Sequence, residues 1–472
     1  MNAPVSAPAS VPDLAVARKA LARSIGLAAF VYGYPLTETY RTCAMQTAPR
    51  AERRAGASAG SDVRAPMNTL HHAPRPSTDQ DRDVVTPAND LLYTMAWLHL
   101  ADGPMLLTVP ASSRHPGRYF VLPLYDAYTE NFENLGPRNC NPEGETVVLV
   151  GPGGTVPESL AAHRVVRCPT DLVWLIGRIL VGDESDWPAA RALQSEIQLK
   201  PAPGTVLKGR PAAIEQWAGP HEDAMAAAFE HGEPAAQVAP RFFTNVCHAL
   251  AEAPGRVEDR ALVAWFGQGG LLANAAFSWD ALEEPLREGL IEGFADGVQL
   301  VGAVGRNRRP KPWSMTPATG RYGNEFLGRA RTAYLGLGAL ATSEAVYAAA
   351  HHDANQEPLD GQRRYAMRFE AGDLPPADAF WSVTLYDSDR FLYPNDIRRH
   401  AIGDRTPGLK RGADGSLELV VSHARPANAG DIANWLPAPA GRFYLILRMY
   451  YPREGVQRWR IPALQTLQSK KD

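Results

Sequence analysis

The sequence reads AFWSVTLYD at residues 379–387 and FYLILRMYYP at 443–452, and these two stretches have the composition of paired β-strands. Aromatic and β-branched residues, which are enriched in strands, dominate both. Similar runs lie at 364–369 and 416–422, and clusters of Pro, Gly and Asp that are typical of turns separate them. The sequence therefore predicts a β-domain over about residues 356–472.

A second β-rich region lies upstream. Short apolar runs at residues 91–98, 105–109, 119–124 and 146–150 are separated by Gly, Pro, Asn and Asp. Strands at this spacing predict an antiparallel sandwich over about residues 51–168.

The rest of the chain has helical patterns. Apolar residues recur at helical spacing from 13 to 32, which predicts a helix there and a loop to residue 50. Residues 1–12, rich in Ala, Pro and Ser, are expected to be a disordered tail. A helical domain is predicted over 169–355. Its expected helices are at 172–181, 222–229, 241–251, 279–304 and 328–350. The expected fold class is multidomain α+β.

Length and charge narrow the classes of function. The chain has 472 residues and a net charge of -3, so it is too long for one core and has no overall positive field to attract nucleic acid or an anionic membrane. The four cysteines form no CxxC pair, and no nucleotide-binding motif is present. We expect a small-molecule partner, no cofactor and no metal. The sequence leaves open whether the protein forms a homo-oligomer.

The apolar run at residues 25–31 is too short to span a bilayer. It follows three basic residues, as a signal peptide would, but no small-residue cleavage site comes after it. The expected location is cytoplasmic, with the periplasm or secretion as the alternative.

The first candidate catalytic residues are Asp90 and Tyr93, with Asn89 beside them, at the start of an apolar strand. Asp90 suits a general base, and Tyr93 suits a donor to a substrate oxygen. The alternative is an Asx turn that satisfies backbone groups. His72 is the third candidate, because it lies in a loop rich in His, Arg and Asp from His71 to Asp83. The alternative is that this segment is simply a solvated loop.

The candidate substrate-binding residues are aromatic or charged side chains on or near the predicted strands. Arg118 and Asp126 are interpreted as a buried ion pair or as part of a carboxylate clamp. Trp381 and Trp435 are interpreted as core or wall residues. For Asp387 and Arg448 a structural salt bridge and a ligand clamp are equally open, and Arg448 over Trp435 would make a cation–π shelf. The remaining candidates are Trp97, Tyr125, Tyr386 and Arg399.

Several of these motifs together resemble a known pair of domains. The stretches 379–387 and 443–452, with NWLPAP at 434–439, are similar to domain of unknown function 1214. DVVTPAND at 83–90, WLHL at 97–100 and several single residues downstream resemble its N-terminal companion, domain of unknown function 1254. The resemblance implies an N-terminal immunoglobulin-like β-sandwich, a helical middle region and a C-terminal jelly-roll β-sandwich.

Two positions depart from the family pattern. The family commonly has Pro-Asn-x-Asp-Thr where this chain has Ala88 and Leu91, which leaves a hydroxyl or amide role at those positions in doubt. The family's Asp-x-Asp-Gly reads DANQ here, with Gln356 in place of the glycine. A tight cation-binding loop would use that glycine for its turn.

The function expected from these observations is a small-molecule enzyme that uses cofactor-free acid–base chemistry of the hydrolase, lyase or isomerase type. Its site would lie in a cleft between the two β-domains, because ligand pockets concentrate at domain interfaces. The alternative is a non-catalytic protein that binds a carbohydrate or metabolite.

Overall fold

A computed structural model describes residues 13–48, 64–82, 86–211, 214, 228, 234–306, 311–316 and 318–467. The predicted tail at 1–12 lies outside these residues, as does the predicted helix at 222–229 except for Ala228. The helices are α1 (Leu14–Thr47), α2 (Trp187–Glu196), α3 (Ala235–Glu252), α4 (Arg260–Phe266), α5 (Glu284–Arg306), α6 (Phe326–Leu335) and α7 (Ala429–Ala433).

The N-terminal β region contains two sheets. Its strands are β1 (His71–His72), β2 (Leu91–His99), β3 (Met105–Val109), β4 (Phe120–Tyr125), β5 (Asn131–Leu135), β6 (Glu145–Val150), β7 (Arg164–Arg167), β8 (Leu172–Leu180) and β9 (Gln198–Pro201). Sheet I has the order β1-β2-β8-β4-β5 and sheet II the order β7-β6-β3-β9. The four strands predicted in this region are confirmed. Apolar side chains from both sheets form one core.

The C-terminal β region also contains two sheets. Its strands are β10 (Ser314–Met315), β11 (Ala345–Ala350), β12 (Arg364–Phe369), β13 (Ala377–Asp387), β14 (Ala401–Gly403), β15 (Leu417–Ser422), β16 (Trp435–Pro437), β17 (Phe443–Pro452) and β18 (Gln465–Leu467). Sheet III has the order β10-β11-β17-β13-β14 and sheet IV the order β16-β15-β12-β18. They share a second core, and the four predicted strands are confirmed.

The structure is thus α+β, with a helical middle region between two sheet-rich regions. The predicted helix at 241–251 lies within α3, and the one at 279–304 corresponds largely to α5. No helix in the described residues is long and apolar enough to cross a membrane. The cytoplasmic location stays a prediction.

The helix predicted for residues 172–181 is wrong, because this segment is β8, the strand between β2 and β4 in sheet I. Every residue of β8 is buried. A strand that is covered on both faces loses the alternation of apolar and polar residues, so its run LVWLIGRIL cannot be distinguished from a buried helix by period alone. Sheet I therefore continues past the predicted domain boundary at residue 168.

The helix predicted for residues 328–350 is correct only in its first part. It ends as α6 at Leu335, and the alanine-rich segment that follows is the strand β11. Alanine favours helices, but pairing with β17 inside sheet III overrides this weak preference.

The end predicted for α1 at residue 32 is also wrong, since the helix continues through Pro35 to Thr47. Proline inside a helix typically costs about 3 kcal/mol. The turns beyond Pro35 bury Leu36, Tyr40 and Cys43 in the core of the helical region, and this burial offsets the cost.

In the loop in which the family glycine is replaced, both carboxyl oxygens of Asp353 accept hydrogen bonds. One carboxyl oxygen of Asp353 accepts hydrogen bonds from the backbone of Asn355 and Glu357, both at 2.9 Å, and the other accepts from Thr466 Oγ1 at 2.7 Å. Gln356 has a φ of 66°, which is the left-handed conformation that glycine adopts freely.

Replacement of Gln356 by Gly is therefore expected to stabilise the protein by about 0.5–1 kcal/mol, because it removes the strain of a side chain in this conformation. Urea unfolding of the variant measures the gain. Gln356→Ala is the control, since alanine has the same strain and should give no such gain.

Candidate functional site

Sheets I and III face each other, and the site lies between them. Side chains of β2, β4 and β8 pack on side chains of β11, β13 and β17 in an aromatic cluster. In this cluster the ring of Tyr119 contacts those of Phe380 and Tyr450, at centroid distances of 5.5 and 5.3 Å. The two β regions thus have a common interface. The segment of the chain that directly precedes β2 lies at the edge of this interface.

Residues 86–90, which we call the entry segment, join the two sheets. Thr86 accepts a hydrogen bond from Arg448 Nη2 on its carbonyl oxygen at 2.9 Å, and Tyr386 donates to the carbonyl of Pro87 at 2.7 Å. Thr86 has a φ of 56°, which is a rare conformation for a β-branched residue. Backbone strain of this kind is concentrated at functional sites in proteins.

Asp90 is the buried acid of this interface. Both of its carboxyl oxygens are buried and have no hydrogen-bond partner within the described residues, although part of the residue is exposed. Burial raises the pKa of Asp90. The charge of Arg448 opposes the shift, as does the hydroxyl of Ser382, which lies near the carboxyl group without the geometry of a regular hydrogen bond. The carboxyl thus holds its proton more tightly than usual, which suits a group that exchanges a proton with a substrate.

Tyr93 and three further tyrosines lie around Asp90 and Arg448. The phenolic oxygen of Tyr93 accepts a hydrogen bond from the backbone N–H of Ala88 at 3.2 Å, and no acceptor takes its proton in the described part of the chain. Burial raises the pKa of Tyr386 to about 12. Tyr386 is therefore a neutral donor at physiological pH. The others are Tyr347 and Tyr450, whose pKa values burial also raises.

Two buried arginines complete the site, one on each sheet. Arg178 lies on β8 beside Tyr93, and Arg448 lies on β17 between Tyr347 and Ser382. Their guanidinium groups stay charged at any physiological pH. The site thus contains a titratable carboxyl, phenolic donors and fixed positive charge.

The structure brings together some of the residues predicted from the sequence. Asp90, Tyr93, Tyr386 and Arg448 lie at the interface, and Asn89 beside Asp90 has a buried side-chain oxygen without a partner in the described residues. Tyr125 lies at the edge, where its hydroxyl contacts Arg178 at 3.4 Å.

His72 lies elsewhere. Its Nδ1 is 3.0 Å from Thr94 Oγ1, on the face of β2 opposite to Tyr93, because successive side chains of a strand alternate. The rest of its loop is spread over three places: Arg75 pairs with Asp81, Asp79 lies near His400, and Arg82 lies near Asp387. Asp83 lies outside the described residues. No group of metal-binding side chains occurs among the residues that the structure describes.

The three candidate tryptophans are core residues. Trp97 stacks on Trp174 at 4.7 Å and donates to Gln46 on α1. Trp381 packs in the core between sheets III and IV, on the face opposite to Ser382. Trp435 is buried and donates to the carbonyl of Ser422. Arg448 lies over the ring of Tyr386, at 5.6 Å, and the shelf of Arg448 on Trp435 is not observed.

The interpretation of Arg118 and Asp126 as an ion pair is wrong. Arg118 pairs with Asp186 and donates to the carbonyl of Leu180. Asp126 instead holds a turn, because its Oδ1 accepts from the backbone N–H of Tyr128 and of Glu130. The two residues bracket the same predicted strand, which suggested the pair. In the structure, each side chain has a different partner.

Asp387 and Arg399 also have structural partners. One oxygen of Asp387 accepts from the backbone of Asp389 and Phe391, both at 3.0 Å, in the turn after β13. Arg399 donates to three carbonyl oxygens at the end of α7 and the start of β16. Of the two alternatives left open for Asp387, the structural salt bridge is observed, with Arg82 at 3.8 Å, and no ion pair joins Asp387 to Arg448 in the described residues.

The sequence reasoning missed Arg178, Ser382, Tyr347 and Tyr450. Arg178 has a visible signal, since it is the lone charged residue in an apolar run of nine. Charged residues are almost never fully buried without a reason. Because this run was predicted to be a helix, the signal was overlooked. Arg448 gives the same signal, as the lone charged residue in the run FYLILRMYYP.

Asp126 also gives a prediction about stability. Burial, partly opposed by backbone hydrogen bonds, raises its pKa to about 7. Because the pKa in the unfolded chain is about 3.9, the bound proton contributes stability below that pH and the contribution is lost as the pH rises to about 7.

Asp126→Asn keeps the acceptor oxygen and cannot ionise. We expect it to be more stable than wild type by on the order of 1–3 kcal/mol at about pH 8 and similar at about pH 4. Thermal unfolding across this range checks the difference, and a constant difference would contradict it.

Two family models match this chain. The one described as protein of unknown function (DUF1254) covers residues 67–201, and the one described as protein of unknown function (DUF1214) covers 344–454. No curated protein matches.

Two solved structures are similar to this chain. The VPA0106 protein from Vibrio parahaemolyticus is 23% identical with a TM-score of 0.67, over 95% of this chain and 100% of that chain. An uncharacterised protein from Burkholderia cenocepacia is 14% identical with a TM-score of 0.44, over 95% of this chain and 94% of that chain. The first likeness shows a shared fold. With both domain matches in the order expected from the sequence, the chain belongs to the two-domain family that pairs domain of unknown function 1254 with domain of unknown function 1214.

Proposed function

We propose that the protein is an enzyme that performs acid–base chemistry on a small organic molecule between sheets I and III. The observation that carries the proposal is Asp90, a carboxyl group whose oxygens are buried without partners in the described chain and whose pKa burial raises. A protein that needed no chemistry here would gain stability from an uncharged residue.

The proposed roles follow from the contacts. Asp90 donates or accepts the proton, because its pKa is shifted toward physiological pH. Tyr93 donates its free proton to a substrate oxygen on which negative charge develops. Ser382, whose buried hydroxyl also has no partner in the described residues, orients the substrate beside Asp90. Hydrolysis and the proton transfers of lyases and isomerases all use such a set.

The alternative function is binding of a carbohydrate or other metabolite without turnover. The partly exposed rings of Tyr93 and Tyr347 at the interface favour it, because aromatic faces hold sugars and other organic ligands without any reaction. Both functions use the same interface and a small-molecule partner, and the proposed location is cytoplasmic.

We also propose that the N-terminal β region is an immunoglobulin-like sandwich and the C-terminal one a jelly roll. The sharing of one core by sheets I and II, and of another by sheets III and IV, supports two-layered β architectures.

Incubation of wild-type protein and of Asp90→Asn with a bacterial metabolite extract, followed by mass spectrometry, tests the function. We expect the wild type to consume a metabolite that Asp90→Asn leaves unchanged, and Tyr93→Phe to consume it more slowly. Equal consumption by wild type and Asp90→Asn would remove the acid–base role. A metabolite retained by both proteins without conversion would favour the binding function.

A further inference from the structure

The site has two permanent positive charges, one on each of the two facing sheets. Arg178 is 7% exposed near the end of β8, and Arg448 is 4% exposed on the central part of β17. Both strands lie inside their sheets, with a neighbour on each side. Neither side chain can therefore reach bulk water at the edge of a sheet, and their charge has to be satisfied within the protein.

The observed partners of the two arginines are neutral. Arg178 donates to the carbonyls of Ile176 at 3.1 Å and Gly338 at 2.8 Å. Arg448 donates to Thr384 Oγ1 at 3.0 Å and to the carbonyl of Thr86. In the described parts of the chain, no carboxylate lies within ion-pair distance of either guanidinium.

Arg329 shows how this protein otherwise satisfies a buried arginine. It is 1% exposed and donates to Glu130 at 2.7 Å, so its charge is balanced inside the protein. A buried ion pair of this kind is the usual arrangement, and a buried charge without a counter-charge is strongly unfavourable. Arg178 and Arg448 thus differ from the structural arginine of the same chain.

The two nearest carboxyls do not restore the balance. Asp90 interacts with the charge of Arg448 but forms no ion pair with it in the described residues, and burial raises the pKa of its carboxyl group. Glu344 accepts a hydrogen bond from Tyr119 at 2.9 Å and pairs with Arg138, so Arg138 already balances its negative charge. Two guanidinium groups thus share at most one nearby carboxylate, so the interface between the sheets keeps an excess of positive charge.

The two arginines act on a common set of groups. The charges of Arg178 and Arg448 both lower the pKa of Tyr347, against the larger effect of its burial. Tyr93 and Tyr450 interact with both guanidinium groups as well. The rings between the two charges offer apolar faces and phenolic hydroxyls, which suit the carbon skeleton of a ligand whose ends are charged.

Resting on the proposed function, we infer that the substrate is a small organic dianion with two acidic groups, of which Arg178 binds one and Arg448 the other. A guanidinium group is planar and presents paired N–H donors that match the two oxygens of a carboxylate. The ligand would supply the counter-charges that the protein lacks. One arginine on each sheet also makes binding dependent on the contact between the two β regions.

Isothermal titration calorimetry with malonate, succinate, glutarate and adipate, and with the monocarboxylates of matching length, tests this inference on the full chain. We expect one diacid to bind at least about tenfold more tightly than its monoacid, because a second charge-assisted contact is typically worth that much. Arg178→Gln and Arg448→Gln should each reduce this ratio to near one. Arg118→Gln, which removes a paired arginine next to sheet I, should leave the ratio unchanged.

Arg178→Lys and Arg448→Lys keep the positive charge and guard against a folding defect, and each should lower the ratio only in part. Equal binding of diacids and monoacids, or no binding of any diacid in the series, would overturn the inference. A loss of the ratio in Arg118→Gln would overturn the assignment to these two arginines.

The same experiments separate this inference from the proposed function. If the diacid binds through both arginines and Asp90→Asn still converts it, the acid–base role fails and the dianion stands. If Asp90→Asn loses turnover while monoacids bind as well as diacids, the acid–base role stands and the dianion fails.

Discussion

Asp90→Asn is expected to lower turnover by about 10²–10⁴-fold and, at the same time, to stabilise the protein once the pH exceeds the native pKa of Asp90. The loss of turnover is the typical contribution of a positioned general acid or base. The gain in stability has a different cause. Asn keeps the size of the side chain but removes a carboxyl group whose oxygens are buried without partners in the described residues.

The pH dependence of this gain follows from the raised pKa of Asp90. In the unfolded chain the pKa is about 3.9. The proton is held more tightly in the native state, so its contribution to stability is complete below that pH and is lost as the pH rises through the native pKa. We therefore expect wild type and Asp90→Asn to be equally stable at about pH 4 and the variant to lead by on the order of 1–3 kcal/mol once the pH exceeds the native pKa of Asp90.

Thermal unfolding at several pH values, together with turnover of the metabolite found by mass spectrometry, measures both effects. The control is Asp387→Asn, because Asp387 is an acid of the neighbouring turn whose Oδ1 acceptor an asparagine retains. It should keep turnover and show no such gain. A large loss of stability in Asp90→Asn would mean that Asp90 is a structural residue.

Much of the fold was predictable because local pattern and burial agreed. The strands β12, β13, β15 and β17 were recognised from aromatic and β-branched runs between turn residues. The prediction failed where tertiary packing determines the local structure. Burial of β8 on both faces removed its alternation, and burial beyond Pro35 extended α1 through a residue that normally ends a helix.

Part of the site was also predictable. Asp90 and Tyr93 stand out as polar residues at the start of an apolar strand, and Arg448 as a charge inside one. Their meeting was not predictable, because the hydrogen bond from Arg448 to Thr86 joins residues 362 positions apart. Candidates such as Arg118 and Asp387 had the same local appearance, and only the fold shows that they have structural partners.

Gly293→Ala is expected to destabilise the protein by about 3 kcal/mol or more, which is the upper range for overpacking. Helices α1 and α5 run parallel, and Gly293 lies where their backbones meet. A Cβ atom at this position would lie 2.7 Å from the backbone nitrogen of Leu27 and 2.8 Å from the Cα of Gly26. Because both neighbours are backbone atoms, no side chain can rotate away and the helices would have to separate.

The control for this prediction is Gly328→Ala in α6. The nearest atom to a Cβ there is the Cβ of Glu325, at 3.7 Å, which is an ordinary contact. The variant should be more stable than wild type by about 0.5–1 kcal/mol, because alanine has the higher helix propensity. Urea unfolding of both variants gives the comparison. Changes of the same sign in the two would contradict the close packing of α1 on α5, since helix propensity alone would then explain both.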